Sequence, residues 1–243
     1  VRIEVPVINP SLSSLFQVRL ANGEQYVKIL KPEVSGWIVP DAENKLAVAG
    51  QYTLLGIEHI WIGIDHLLFV TCLVLIARTV RKVLITISGF TVAHSITLFL
   101  SALDVIRIPT PPVEAAIALS VVFLAWEIVK NDESQLTFRY PVAVSTSFGL
   151  MHGFGFAAVL RDIGLPQTQL PTALLFFNVG VEIGQILFVL ALVAAFLVTR
   201  PLLKRLLSAQ DHEVHWTWIT TPASYVIGGV ASYWLFDRIS GFL

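Results

Sequence analysis

Residues 56–69 read GIEHIWIGIDHLLF, and the reading of this stretch decides the fold. It sets Glu58, His59, Asp65 and His66 inside an apolar run over 54–77. About 20 apolar residues are enough to cross a bilayer as a helix. An ionisable side chain at the centre of an inserted helix costs about 2.5–3.5 kcal/mol on translocon scales, so such groups stand there with partners or with a task. Two imidazoles and a carboxylate are also good ligands for transition metals. The plainer reading is that these groups only hydrogen-bond neighbouring helices.

The rest of the composition agrees with a membrane setting. Of 243 residues, 55% are hydrophobic and 14% charged, and mean hydropathy is +0.75. A soluble domain carries about 25% charged residues. The net charge of −1 gives no basic surface for nucleic acid. The single cysteine, Cys72, lies in the first apolar run, so this chain has no internal disulfide and no cysteine cage for a metal.

Residues 1–40 are different in kind. Phe16–Leu20 and Gln25–Leu30 largely alternate apolar and polar residues around Ala21-Asn-Gly-Glu24. Alternation flanking Asn-Gly predicts a β-hairpin. Forty residues make a poor core alone. The only methionine is Met151, so the chain shows no initiator, and the segment reads as the tail of a larger β-domain. Residues 41–53 read as a linker.

Six apolar spans follow, giving an all-α polytopic membrane domain over 54–243. They are expected at 54–77, 83–103, 112–130, 141–160, 171–199 and 217–237. Lys and Arg in the short loops set the orientation. Arg78, Arg81, Lys82, Lys130, Arg139, Arg200, Lys204 and Arg205 share one side; Arg107, Arg161 and Arg238 share the other. The first side is expected in the cytoplasm. The β-segment and the C-terminus then lie outside the cell's inner membrane.

Orientation turns the polar residues into a place. At 1.5 Å per residue, His59 lies about 8 Å below the outer end of its span, and Asp65 and His66 about 16–18 Å. The same rise puts His94 at about 14 Å, His152 at about 12 Å, Asn178 at about 10 Å and Glu182 at about 16 Å. Four spans thus carry their strongest polar groups in one outer-to-middle slab. Glu114 lies just under the outer surface, at a mouth. His59 and His66 share a helical face yet stand about 10 Å apart along a straight axis. One ion bonds imidazole nitrogen at about 2.0–2.1 Å. Either two sites exist, or one histidine is not a ligand, or the helix is distorted near Gly63.

The metal candidates are therefore His59, Asp65, His66, His94, His152 and Glu182, with Asn178 and Glu114 as supporting or entrance residues. Imidazole and carboxylate suit nickel, cobalt, zinc or iron. The favoured function is uptake or handling of a divalent transition metal. The alternative is a metal-dependent hydrolase acting on a lipid or peptide. There a bound water with its pKa lowered to about 7 would attack, and Glu182 and Ser95 would assist. A third reading is a metal-stabilised scaffold subunit. The bilayer and the ion are the expected partners; complex subunits or a second copy stay open.

GIEHIWIGIDHLLF, FTVAHSITL, FGLMHGFGFA and FNVGVEIGQ together resemble the HupE/UreJ family of bacterial membrane proteins. The likeness runs over about 50–185. It implies nickel or cobalt permease or metal-delivery activity. The family's His-x5-Asp-His motif falls on His59, Asp65 and His66. Hydrogenase-linked members place an acid soon after a His-Gly pair; here Phe-Gly-Phe-Ala follows His152-Gly153. The resemblance therefore speaks for metal binding ahead of nickel in particular.

Overall fold

The computed structural model describes residues 2–4, 14–19, 25–30, 36–38, 45–132, 134–163, 169–207 and 217–242. Four short strands come first: β1 (Arg2–Glu4), β2 (Ser14–Arg19), β3 (Gln25–Leu30) and β4 (Gly36–Ile38). They form two antiparallel pairs, β2 with β3 from Ser14↔Leu30 to Arg19↔Gln25, and β1 with β4. The Ala21–Glu24 turn expected between β2 and β3 lies outside the described residues.

Eight helices follow: α1 (Lys45–Ile62), α2 (Ile64–Ala77), α3 (Val80–Ala102), α4 (Thr110–Lys130), the single turn α5 (Leu136–Arg139), α6 (Pro141–Ile163), α7 (Leu170–Leu207) and α8 (Thr217–Ser240). α1 starts inside the stretch read as a linker. Val48, Ala49 and Tyr52 are buried and Gln51 is exposed, so the first turns already have an inner face.

The first span is not one helix. It breaks at Gly63, and α1 and α2 meet at a bend of 76°. Glycine is a weak helix former. Gly63 takes φ −76° and ψ 90°, outside the helical range. The break frees the amides at the start of α2, where Asp65 adds a favourable negative charge.

Among the described residues, α3, α4 and the 170–199 part of α7 are each long and apolar enough to cross a membrane. The bent α1–α2 pair is a fourth if counted as one span. The sequence reading expected six. α6 and α8 are long enough at 23 and 24 residues. α8 is diluted by Thr220, Thr221, Ser224 and Ser232.

α2 is the central post and touches every other helix. Around it α3 packs on α6, α1 on α7 and α4 on α8. Small residues allow two of these approaches. A Cβ on Gly56 or Gly180 would run into the facing backbone of α7 or α1. One on Gly149 or Gly153 would run into α3. Three apolar cores result among the described residues, one of them, Val70, Ala77, Val83, Ile87 and Val189, joining α2, α3 and α7. Phe69, Leu73, Phe90, Val121, Leu124 and Ala231 hold α2, α3, α4 and α8 together. Ile60, Leu98, Leu174, Phe177 and Val181 join α1, α3 and α7.

Candidate metal centre

Four histidines from four helices meet between the Phe69/Phe90 core and the Phe177 core. His59 ends α1, His66 starts α2, His94 lies in the middle of α3 and His152 in the middle of α6. The bend at Gly63 brings the His59 and His66 rings to 4.5 Å between centroids. A straight helix would hold them about 10 Å apart along its axis. His94 lies 6.3 Å from His59, and His152 lies 5.4 Å from His66. The glycine is also needed for space, since a Cβ at Gly63 would come within 2.6 Å of His66 Nδ1.

The surroundings are aromatic. Phe156 and Phe177 lie against His59, while Phe69 and Phe90 lie against His152. Such walls offer imidazole no hydrogen bond of the usual kind. Among the described residues, six buried imidazole nitrogens lack a partner: His59 Nε2, both nitrogens of His66 and of His94, and His152 Nδ1. The remaining nitrogen of His152 meets Ser120 Oγ of α4 at 3.2 Å. Buried polar atoms without partners are rare because each forfeits its hydration.

A transition metal fits this donor chemistry. Two imidazoles on one tetrahedral ion at about 2.0–2.1 Å have ring centres about 5 Å apart. The three separations above bracket that value. Among the described residues, no three His, Cys, Asp or Glu side chains are placed to hold one ion together.

The other candidates are held elsewhere. Asp65 pairs with Arg238 of α8 at 2.6 Å, and Arg238 also donates to the Glu114 carbonyl. The Glu114 side chain is exposed. Glu182 accepts from Ser88 at 2.6 Å, and Gln185 from Thr91 at 2.9 Å, which makes a polar seam between α7 and α3. Asn178 donates to the Leu174 carbonyl and leaves its Oδ1 unpartnered. Ser95 donates to the Thr91 carbonyl.

The HupE / UreJ protein family matches residues 38–238. The chain belongs to the HupE/UreJ family. That family is associated with nickel or cobalt transport or handling, and the apolar helices make this HupE/UreJ chain a membrane protein. No curated protein and no solved structure matches the chain.

Two residues of this region escape sequence reasoning. Ser120 is a lone hydroxyl in an apolar span, and only its contact with His152 gives it a role. Arg238 reads as a loop charge, yet it pairs with Asp65 across the bundle.

Proposed function

We propose that this protein is a six-span inner-membrane permease or handling protein for a divalent transition metal, nickel or cobalt foremost. The observation that carries the proposal is the four-helix histidine cluster with its six unpartnered nitrogens. The ion is the cargo. His59, His66, His94 and His152 would receive it by turning their rings toward it. α1 and α2 meet at the cluster through a break, which gives the bundle a point where the two halves of the span can move. The polar seam from Asn178 through Glu182, Ser88, Gln185 and Thr91 offers hydrophilic groups beyond the cluster.

The loop charges favour a cluster reached from outside, with the N-terminal strands and the C-terminus extracytoplasmic. Two measurements test this. Val105→Cys, in the loop after α3, should react with an impermeant thiol reagent added to intact cells, while Ser134→Cys should not. Both positions are exposed, and Cys72 is buried and silent. The reverse pattern would invert the orientation.

Transport itself is tested in sealed proteoliposomes. Nickel or cobalt should accumulate inside vesicles holding the protein and not in empty ones, and His94→Ala should abolish the difference. Binding without accumulation would leave a handling or scaffold role. Neither Glu182 nor Ser95 bonds to an imidazole among the described residues, so the hydrolase reading gains no support from their partners.

A further inference from the structure

The histidines of the cluster are not alike. His66 and His94 leave both ring nitrogens without a hydrogen bond, so either tautomer is open to them. His152 has one engaged nitrogen and one free. Its Nε2 meets Ser120 Oγ at 3.2 Å, and its Nδ1 has no partner. The direction of that single hydrogen bond decides which nitrogen carries the proton.

Ser120 fixes the direction. Its side chain is buried in α4, a helix that carries no histidine, and its hydroxyl has one proton to give. Its Oγ also lies 2.6 Å from the Ile117 carbonyl, three residues back in the same helix. A carbonyl oxygen can only accept, so at that distance the hydroxyl proton lies between Oγ and the Ile117 oxygen. None is left for His152. Ser120 Oγ therefore accepts, and the ring donates from Nε2. Nδ1 is then the nitrogen with the lone pair. The neighbouring rings do not compete for the Nε2 proton. Phe69 and Phe90 stand 5.0 and 5.1 Å from His152 between centroids, and a phenyl ring has no lone pair to offer.

We propose that Ser120 is a positioning residue for the metal cargo: it locks His152 in the Nε2–H form, so that Nδ1 is the atom that binds the ion. The assignment rests on the proposed function for the metal itself. Metal-binding histidines commonly donate their other ring N–H to an oxygen, which fixes the tautomer and ring orientation and makes the ligating nitrogen more basic. Here the packing of α4 on α6 supplies that oxygen. His152 thus presents a lone pair ready-made, while His66 and His94 must still choose a tautomer when an ion enters.

The test is nitrogen NMR of the purified full chain carrying isotope-labelled histidine, with zinc as a diamagnetic probe and His152→Gln to assign the ring. Nε2 couples to both carbon-bound ring protons and Nδ1 chiefly to one, so the two nitrogens are told apart. His152 should carry its proton on Nε2 without zinc, and keep it there when zinc binds through Nδ1. Ser120→Ala should let the second tautomer appear and raise the zinc Kd about 10–100-fold, the usual effect of losing such a partner. Ser120→Thr keeps a hydroxyl and should restore both readings. Ser224→Ala is the control for loss of a buried serine. Ser224 donates to the Thr220 carbonyl at 2.8 Å and, among the described residues, bonds to no histidine, so its loss should change neither reading. The wild-type spectrum decides by itself where a variant does not fold. A proton on Nδ1 overturns the proposal, and so does zinc on Nε2. A folded Ser120→Ala protein with tautomer and Kd unchanged overturns it too. Wild-type protein that shows the Nε2–H form yet takes up no zinc, nickel or cobalt overturns the permease reading instead, and the ligand role of Nδ1 with it.

Discussion

His66→Ala and His94→Ala are each expected to lower the metal bound by purified protein about tenfold or more, while His212→Ala changes nothing. The reason is the distribution of unpartnered nitrogens. His66 and His94 each leave both ring nitrogens without a hydrogen bond, so their burial is uncompensated until something accepts a lone pair. His152 has one nitrogen at Ser120 and is partly satisfied already. His212 lies in sequence between α7 and α8, away from the four helices that carry the cluster. Losing even an outer partner of a metal ligand costs about 10–100-fold in affinity, and losing a ligand costs no less. Nickel, cobalt and zinc should be counted separately by elemental analysis after equal loading. The same measurement against pH has a definite sign. Imidazole must be neutral to ligate, and its unperturbed pKa is about 6.5, so bound metal should fall on acidification and return on neutralisation. Equal metal in all three variants would leave the histidines as packing groups alone.

The sequence carries a good part of this picture because membrane helices report themselves through long apolar runs. The second span, expected at 83–103, forms as Val80–Ala102, and the third, expected at 112–130, forms as Thr110–Lys130. The histidines were legible for a related reason. A polar residue in an apolar run is conspicuous, and a common depth marks a place. What a one-dimensional reading could not fix was the path of the chain through that place. The spacing of His59 and His66 allows a distortion near Gly63 as one of three alternatives, but it does not choose among them or give the 76° bend. The bend alone brings His59 and His66 together, so one of the three alternatives left by their spacing is realised in the fold. Pairings between distant helices were equally hidden. Asp65 was grouped with the histidines because it adjoins His66 in sequence, whereas its side chain turns to α8, 173 residues away. Ser120 and the phenylalanine walls became visible only when the helices were set side by side.

That placement of Asp65 leads to the second large effect. Asp65→Asn should destabilise the protein by about 2 kcal/mol, between the 0–1 kcal/mol of a surface pair and the 3–5 kcal/mol of breaking a fully buried one. The intermediate value follows from exposure: the Asp65 and Arg238 side chains are 22% and 21% exposed, so each charge keeps some access to solvent or lipid heads. The loss comes chiefly from the guanidinium left behind. Arg238 is tethered to the Glu114 carbonyl and also lies 5.8 Å from the Trp234 ring centroid, so it does not simply swing away when its carboxylate goes. Removing both charges in Asp65→Asn/Arg238→Gln should therefore recover much of the stability, because no unpaired charge remains. Thermal unfolding of the single and double variants in one detergent measures the coupling. Metal content, taken on the same samples, separates two roles for the carboxylate. As a latch between α2 and α8, Asp65 can be neutralised together with Arg238 and the histidine cluster still fills. As a ligand, it cannot, and the stable double variant would come out empty. The 2.6 Å contact with Arg238 leads us to expect the filled cluster.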